Sequence, residues 1–348
     1  MNNLAVHRFF VLLGRECNLQ CKYCIQHDIV NDQLEHKINP KIYDFINAAP
    51  MPEKRRQRVT FYGGEPLLFW KQVLEIHAHL KHSRRNFSFI SNGKALTQEM
   101  VDYINANKMH LTISWDGKNS IITRGFDAVK ERRELLLQVN DLCLSGVISN
   151  LNYPLDFVEA IDEFQAEYFK VNRRYFQINT DIIYNNCGNC NDLVKVDLDE
   201  WRRQMLQIKK MNEEFLVGER YFTHARSLTK QYTRQKYTGK EKPQLQARCG
   251  NGRVVQNIDM DGNLYLCHNS GIKIGTVDDN LQDIFDKANE IDPIPDIYNT
   301  ECVGCDMLPY CKVGCMLMPP GVRKTYYCDL IHASFEPFLI SERRKSNG

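Results

Sequence analysis

Short apolar segments alternate with amphipathic helical patterns over the first two thirds of the chain. Six segments rich in β-branched and aromatic residues predict strands at 7–13, 58–63, 86–91, 109–114, 146–152 and 174–180. Apolar residues at a helical period predict helices at 38–48, 68–80, 97–107, 127–139, 154–168 and 196–215. Because six strand–helix units favour parallel strands with right-handed crossovers, the pattern predicts an α/β fold, a partial (β/α)6 barrel.

Polar side chains recur on one face of several predicted strands. Alternation along the fourth strand puts His110, Thr112 and Ser114 on the same face. Asn150 shares a face with Asn152, and Gln177 shares one with Asn179. A closed eight-stranded barrel fills its interior with branched apolar side chains. Since the helices must cover the outer face, we expect the polar rows to line an open, ligand-holding interior; the alternative is that they face solvent.

The last third of the chain has a different composition. It is polar and basic from Leu216 to about Gln246, and then rich in Cys, Gly and Pro. Residues 254–269 predict a β-hairpin that turns at Asp261 and Gly262. A long segment with little regular structure needs cross-links, which cysteine-bound metal can supply. We therefore predict a barrel domain at 1–235 and a cysteine-rich, metal-stapled domain at 236–340.

Charge and composition narrow the class of protein. The 348 residues include 45 Lys and Arg against 43 Asp and Glu, and the net charge of +2 favours neither nucleic acid nor an anionic membrane as a partner. The sequence contains no signal peptide and no apolar run long enough to cross a bilayer, which predicts a cytoplasmic protein. In a reducing cytosol, 13 cysteines are more typical of metal ligands or catalytic thiols than of disulfides.

Three cysteines, Cys17, Cys21 and Cys24, follow the first predicted strand directly. They occupy the loop at the carboxyl end of that strand, where barrel enzymes place their active sites. Thiolates are soft ligands that suit an iron–sulfur cluster or zinc. Three thiolates are one short of a closed tetrahedral site, so either a fourth ligand lies elsewhere or one position stays open.

This Cys-x3-Cys-x2-Cys spacing, with Tyr23 before the third cysteine at the start of a βα barrel, resembles the radical S-adenosylmethionine (SAM) superfamily. The resemblance implies a 4Fe–4S cluster on Cys17, Cys21 and Cys24, with one iron free for the amino and carboxylate groups of SAM. It also implies the chemistry. An electron passing from the cluster splits SAM into methionine and a 5′-deoxyadenosyl radical, which abstracts a hydrogen atom from the substrate.

Further motifs support this resemblance. Tyr62 to Pro66 match the family's Gly-Gly-Glu-Pro motif, which meets the methionyl amine of SAM; glycines permit close backbone approach, and a carboxylate offsets the ammonium charge. Ser91 to Gly93 resemble a ribose-proximal motif, and Ser114 to Gly117 resemble the family's Ser-x-Asp-Gly. A basic residue shortly after that motif holds the SAM carboxylate. The resemblance thus assigns SAM binding to Tyr23, Gly63, Gly64, Glu65, Asn92, Ser114 and Arg124.

The C-terminal cysteines resemble the SPASM domain, which extends radical SAM enzymes that modify peptides and proteins. The pattern is Cys249, Gly262-x4-Cys267, Cys302-x2-Cys305-x5-Cys311-x3-Cys315 and finally Cys328. The resemblance implies one auxiliary 4Fe–4S cluster held by Cys302, Cys305, Cys311 and Cys328. It implies a second held by Cys249, Cys267 and Cys315. A single Cys-x2-Cys would also suit a zinc ribbon, whereas seven matched positions favour the SPASM reading.

The second auxiliary set has only three cysteines. Some relatives supply a fourth ligand from a cysteine shortly before Cys249, and this sequence has none there. That cluster therefore either keeps an open iron or recruits a distant ligand. Cys187 and Cys190, which follow the sixth predicted strand, are candidates. The alternatives are a redox pair, a thiol that handles substrate, or loop thiols that have no role.

His268 directly follows Cys267. Sulfatase-maturing relatives have an aspartate at this position, where it takes a proton from the substrate. An imidazole titrates near neutral pH and can serve as a general base, which makes His268 the candidate catalytic residue. The alternative is that it donates a hydrogen bond to a cluster sulfur.

We favour a maturase that abstracts a hydrogen from a residue of a ribosomally made peptide and installs a crosslink or an oxidation. The second hypothesis is an anaerobic sulfatase-maturing enzyme that forms formylglycine. The third is a non-catalytic metal-binding scaffold. The expected partners are a precursor peptide or protein, a reductant such as a flavodoxin or ferredoxin, and a separate peptide-recognition protein, since the first strand starts near residue 7. No nucleic acid or membrane is expected as a partner.

Overall fold

The computed structural model describes residues 5–26, 37–182, 193, 195–216, 252–311, 313–318, 321 and 323–343. Within them, nine strands form one sheet in the order β6-β5-β4-β3-β2-β1-β7-β8-β9. The strands are β1 Arg8–Leu12, β2 Gln57–Tyr62, β3 Arg85–Ser91, β4 His110–Ser114, β5 Leu142–Ile148, β6 Gln177–Ile182, β7 Val255–Asp259, β8 Asn263–Tyr265 and β9 Lys273–Thr276. Strands β1 to β6 pair in parallel, each with the next, and helices lie between them. The predicted α/β partial barrel is confirmed.

Twelve α-helices lie in the described part of the chain. They are α1 Lys41–Ala48, α2 Trp70–Leu80, α3 Gln98–Ala106, α4 Ser120–Arg124, α5 Ala128–Glu131, α6 Arg133–Gln138, α7 Pro154–Asn172, α8 Leu198–Leu216, α9 Leu281–Glu290, α10 Ile294–Ile297, α11 Leu308–Cys311 and α12 Cys328–Arg343. Asp197 caps α8: its carboxylate oxygen accepts hydrogen bonds from the backbone N–H groups of Asp199 and Glu200, both at 3.0 Å. None of these helices is long and apolar enough to cross a membrane.

Two predicted elements differ from the structure. The fifth strand lies at Leu142–Ile148 rather than at 146–152, because the apolar Leu142 to Leu144 are the residues buried beside β4. Residues 149–152 instead close a turn, held by a bridge between Ser149 and Asn152. The helix predicted at 127–139 is divided into α5 and α6 at Arg132, whose φ of −126° is not helical.

The cysteine-rich region continues the sheet of the barrel. Strand β7 pairs in parallel with β1, from Arg8 opposite Val255 to Leu12 opposite Asp259. The predicted hairpin is confirmed, since β7 and β8 are antiparallel and joined by a turn in which Gly262 has a φ of +90°. A side chain there would be strained and would collide with Val277, so the turn requires glycine. The predicted boundary at 235–236 lies outside the described residues.

Two apolar cores hold the helices in place. The larger fills the space between the sheet and the helices, and it includes β7 and β8 residues such as Ile258 and Leu264 beside those of β1. The smaller joins α8 to α12, where the Trp201 indole N–H donates to Ser334 Oγ at 2.9 Å. The C-terminal region is thus packed against the barrel at two places.

Candidate active site

A cavity of about 370 Å³ opens at the carboxyl ends of the barrel strands. Its wall includes ten of the predicted site residues: Cys17, Cys21, Tyr23, Cys24, Gly63, Gly64, Asn92, Ser114, Arg124 and His268. Other lining residues were not predicted as site residues, among them Gln26, Tyr62, Ser145, Asp181 and Asn269. Ser114 comes from the polar face of β4, as expected for a polar barrel interior. Residues distant in sequence therefore share one chamber.

Gly63 and Gly64, at the end of β2, pack against the backbone of the cysteine loop, which is residues 14–26 and carries Cys17, Cys21 and Cys24. The Gly64 N–H donates to the Gly14 carbonyl, and the Glu65 N–H donates to the Glu16 carbonyl, both at 2.9 Å. A Cβ on Gly63 would lie 2.2 Å from the Gly14 carbonyl oxygen, and one on Gly64 would lie 2.3 Å from the carbonyl oxygens beside it. The glycines are required because two backbones touch here, which is a different reason from the ligand contact predicted from the sequence.

The three N-terminal cysteines are free thiols that line the same cavity. Burial, with smaller contributions from Cys24, Asp116 and Cys17 and against the effect of Arg124, raises the pKa of Cys21 to about 11. Burial also raises the pKa of Cys17, to which Glu65 and Cys24 contribute. Each of these cysteine sulfurs makes ionisation of the others less favourable. Because a bound cationic cluster would stabilise the thiolates, such soft sulfur donors are a favourable environment for it. The donor set therefore fits the predicted iron–sulfur cluster.

Glu65 is fully buried and lies behind the cavity wall. Its carboxylate accepts hydrogen bonds from the Leu67 N–H at 2.9 Å, the Ser91 hydroxyl at 2.7 Å and the Asn92 N–H at 2.7 Å. Burial raises the pKa of Glu65, while these hydrogen bonds act to lower it. The side chain thus fastens the turn after β2 to the end of β3; its predicted contact with the SAM amine stays a prediction.

Asn92 connects the end of β3 to the cysteine loop. Its amide nitrogen donates to Asn18 Oδ1 at 2.8 Å and lies 3.6 Å from Cys17 Sγ. Its amide oxygen accepts from the Lys94 N–H at 2.8 Å, which fixes the orientation of the side chain. Asn92 can therefore donate a hydrogen bond to a cysteine sulfur as well as line the cavity.

Asp116 organises the opposite wall. Arg124 Nε lies 3.0 Å from Asp116 Oδ2, and Arg124 Nη2 donates to Oδ1 at 3.1 Å. The Tyr23 hydroxyl donates to the same carboxylate, and the Arg124 guanidinium lies over the Tyr23 ring. Burial acts to lower the pKa of Arg124, but Asp116 and Tyr23 outweigh it and the pKa is raised. Asp116 therefore joins the cysteine loop to the arginine that faces the cavity.

The segment after β8 forms a third part of the wall. His268 is stacked on Phe10 and meets Tyr62 edge to face. The Tyr62 hydroxyl donates to Asn269 Oδ1 at 3.0 Å, and the Gln26 amide donates to the same oxygen at 3.1 Å. Gln26, Tyr62 and Asn269 were missed from the sequence, although each lies within two residues of a predicted motif. These hydrogen bonds join the cysteine-rich region to the cysteine loop.

His268 is an uncharged imidazole in this environment. Burial, and then the positive charge of Arg8, lowers the pKa of His268 to about 4. Its Nδ1 is buried without a hydrogen-bond partner among the described residues. At neutral pH the imidazole of His268 is thus uncharged, and it holds a proton weakly.

Four C-terminal cysteines surround a second, smaller cavity. Cys302, Cys305, Cys311 and Cys328 all line it, together with Arg323 and His332. Burial, together with the neighbouring Cys305 and Cys302, raises the pKa of Cys328 to about 11, so these thiols interact. The structure therefore brings together the four cysteines predicted as one auxiliary set, and four soft donors around one cavity fit a metal cluster.

The other auxiliary set is described only in part. Cys267 is buried, and its sulfur accepts a hydrogen bond from the Asn269 N–H at 3.4 Å. Cys315 is half-buried, and its carbonyl accepts from Arg323 at 2.7 Å. Cys249 lies outside the described residues, as do Cys187 and Cys190.

Comparisons with known proteins agree with this geometry. Residues 11–125 match the radical SAM superfamily. Residues 11–125 therefore form a radical SAM domain, and the enzymes of that superfamily use a 4Fe–4S cluster and SAM. This result favours an enzyme over a non-catalytic scaffold.

The relatives come from the peptide-modifying radical SAM class. The radical SAM cyclopropyl synthase TigE of Paramaledivibacter caminithermalis is 22% identical over 335 residues, covering 88% of this chain and 67% of that protein. The cysteine-type anaerobic sulfatase-maturating enzyme of Clostridium novyi is 21% identical over 352 residues, covering 92% of this chain and 91% of that protein.

Two solved structures share the fold. The structure of anSMEcpe with bound AdoMet superposes with a TM-score of 0.63 at 18% identity, covering 97% of this chain and 99% of that one. Streptococcus suis SuiB bound to S-adenosylmethionine superposes with a TM-score of 0.60 at 15% identity, covering 90% and 73% of the two chains.

Proposed function

We propose that this protein is a radical SAM maturase that abstracts a hydrogen from a residue of a ribosomally made peptide and installs a crosslink or an oxidative modification. The observation that carries the proposal is the shared cavity. The cysteine loop, Arg124 and the His268–Asn269 segment all line it. A substrate residue that enters this chamber would meet the cofactor face and the C-terminal segment together. Similarity to TigE and to the Clostridium novyi enzyme supports a peptide or protein as substrate.

In this proposal, Cys17, Cys21 and Cys24 hold the SAM-binding cluster. When bound, the cluster and SAM supply a carbon-centred radical that removes a hydrogen atom from the substrate. The protein's own contribution is binding and orientation. Arg124, held by Asp116, offers a cation to the SAM carboxylate, while Gly63, Gly64 and Ser114 leave room along the wall.

Two auxiliary clusters complete the proposal. Cys302, Cys305, Cys311 and Cys328 would hold the first, which their shared cavity supports. Cys249, Cys267 and Cys315 would hold the second within a SPASM domain at 236–340. Such clusters can accept the electron left on the substrate after hydrogen abstraction, and a flavodoxin or ferredoxin would supply the electron that starts the reaction.

His268 is proposed as the proton acceptor during oxidation of the substrate. Its position on the cavity wall supports the role. A pKa of about 4 keeps the imidazole neutral at pH 7 and able to accept a proton, but it makes His268 a weak base. The proposal therefore requires a substrate intermediate that is itself strongly acidic.

A second candidate function is the maturation of a sulfatase. The near full-length match to the Clostridium novyi enzyme, at 92% and 91% of the two chains, favours it. The histidine at position 268 and the absence of a cysteine shortly before Cys249 count against it.

Coexpression tests the proposal. The protein is produced under anaerobic conditions with each short open reading frame that lies beside its gene, and the peptides are analysed by mass spectrometry. A loss of two hydrogens or a new crosslink in such a peptide supports peptide maturation. Modification of a cysteine-containing sulfatase peptide with no change in the neighbouring peptides would favour the second function. In both arms, the Cys17→Ala variant should give no product, because it removes a ligand of the SAM-binding cluster.

A further inference from the structure

Arg323 is a buried cation at the wall of the four-cysteine cavity. It is 1% exposed and lies in the turn that leads into α12, five residues before Cys328. Its Nε donates to the Val313 carbonyl at 3.0 Å, and its Nη2 donates to the Cys315 carbonyl at 2.7 Å. Its Nη1 reaches Glu301 Oε1 at 3.5 Å. The guanidinium thus holds one wall of the cavity through main-chain contacts.

The loop held by Arg323 carries cysteines of both proposed auxiliary sets. Cys311 belongs to the four-cysteine set, and Cys315, four residues later, belongs to the other. Between them, Val313 has a φ of +69° and Gly314 a φ of +77°. A positive φ is unfavourable for a β-branched residue, so the surrounding contacts must maintain this conformation. The hydrogen bonds from Arg323 to residues 313 and 315 bracket the strained turn.

The charges around the cavity leave the guanidinium incompletely balanced. Glu301 is its one carboxylate contact in the described residues, at a long distance, and Glu301 Oε2 is itself buried without a hydrogen-bond partner there. Arg323 and Cys302 line the same cavity. A buried cation is costly unless negative charge lies nearby. Cysteine-bound clusters carry net negative charge, which grows on reduction and would supply that balance.

We propose that Arg323 positions the loop between Cys311 and Cys315 and serves as a permanent positive charge shared by the two auxiliary clusters. The proposal rests on the auxiliary clusters of the proposed function. A fixed cation in a low-dielectric environment stabilises the reduced, more negative state of a nearby cluster. Arg323 therefore raises the reduction potential of both clusters and prepares them to accept an electron from the substrate.

The test uses the full chain with Cys17, Cys21 and Cys24 changed to Ala, reconstituted anaerobically with iron and sulfide. This background isolates the auxiliary clusters. Arg323→Lys keeps the charge without the planar fork, and Arg323→Gln removes the charge. Iron content is measured first, and each cluster's midpoint potential is then obtained by reductive titration with dithionite, followed by electron paramagnetic resonance.

We expect Arg323→Gln to lower both midpoint potentials. At a fixed potential the reduced-to-oxidised ratio should fall at least tenfold, which is a shift of about 59 mV for a one-electron couple. Arg323→Lys should shift both potentials much less, although it too weakens the loop contacts. If Arg323→Gln fails to fold, the Arg323→Lys variant decides the test. Midpoint potentials near those of the parent support the role of the positive charge. A tenfold fall in the reduced-to-oxidised ratio attributes the effect to geometry and overturns the proposal.

Arg85→Gln is the matched control. Arg85 is also a buried arginine bonded to main-chain carbonyls, those of Leu80 and Ile46, but at the amino end of β3. The Arg85→Gln variant should have a lower melting temperature and unchanged midpoint potentials for both clusters. If Arg323→Gln binds its full complement of iron and its midpoint potentials are unchanged, this proposal is overturned and the proposed function is not. A shift in the midpoint potential of only one cluster would show that the two clusters do not share the charge of Arg323. Absence of auxiliary signals in the parent background overturns the proposed clusters, and this inference with them.

Discussion

At the scale of single residues, the cavity depends on side chains that hold other side chains. Asp116 is fully buried and accepts hydrogen bonds from Arg124, Tyr23, the Thr123 hydroxyl and the Val147 N–H. It sits in the Ser-Trp-Asp-Gly motif but does not line the cavity. Its effect on SAM would therefore pass through the orientation and charge balance of Arg124.

Replacing Asp116 by Asn should weaken SAM binding. The buried guanidinium would lose its charged partner, and we expect the Kd for SAM to rise about tenfold or more, or at least about 1.4 kcal/mol. Anaerobic calorimetry of the reconstituted enzyme, with KM and kcat for SAM cleavage, measures the change. Asp141→Asn is the control, because Asp141 pairs with His110 away from this wall. Equal SAM affinity in wild type and Asp116→Asn would refute the role given to Asp116.

Gly63 should not tolerate a side chain. Gly63→Ala places a methyl group against the Gly14 carbonyl at a φ of +144°, so we expect loss of most iron from the SAM-binding cluster and a lower melting temperature. Gly125→Ala is the matched control, since Gly125 has a φ of +77° but no atom within 4 Å of the added carbon. That variant should cost only about 1 kcal/mol and keep its iron. Iron content and thermal unfolding of the two proteins distinguish steric contact from backbone strain alone.

At the scale of elements, the sequence predicted what periodicity determines. Strands β1 to β4 and the hairpin at Gly262 were predicted to within about two residues, because apolar alternation and turn chemistry are local. The displaced β5 shows the limit of that signal: residues 142–144 and 146–152 are both apolar enough for a strand, and only the partner β4 decides between them. Cysteine spacing singled out the cysteines that line the two cavities, whereas the contact between Tyr62 and Asn269 was not predicted, since it depends on two distant segments.

The junction of α8 and α12 gives an element-scale prediction. Ser334→Ala removes the acceptor of the buried Trp201 indole N–H, which should cost about 1–3 kcal/mol of unfolding free energy. Chemical denaturation of the holoenzyme measures the loss. The double variant Trp201→Phe, Ser334→Ala leaves no unpaired donor. Ser334→Ala should therefore cost less unfolding free energy in the Trp201→Phe background than in the wild type. An equal cost in the two backgrounds would contradict the pairing.

At the scale of the whole molecule, the cysteine-rich region is structurally part of the barrel. Strand β1 lies between β2 and β7, and Ile258, Leu264 and Ile274 belong to the same apolar core as β1. His268 and Asn269 complete the cavity wall from the far end of the chain. Sequence reasoning placed a boundary near 235 because composition changes there, and composition carries no information about strand pairing.

A chain ending at residue 235 should therefore fail to fold into a stable barrel. It would expose the edge of β1 and the apolar surface that β7 and β8 cover. We expect aggregation, or a loss of cooperative thermal unfolding by circular dichroism. A soluble truncated chain with a sharp transition would show that the barrel folds independently.

The pairing of β1 with β7 also constrains the biosynthesis of the protein. Arg8 cannot pair with Val255 until Val255 has been synthesised. Strand β1 therefore emerges from the ribosome 247 residues before β7, its second neighbour (255 − 8). At about 5–20 residues per second, that interval lasts roughly 12–50 seconds. During it one edge of β1 stays unpaired, and the wall formed by His268 and Asn269 does not yet exist. The nascent chain thus needs protection from aggregation for that time, and it acquires a complete reaction chamber only after Asn269 has been synthesised.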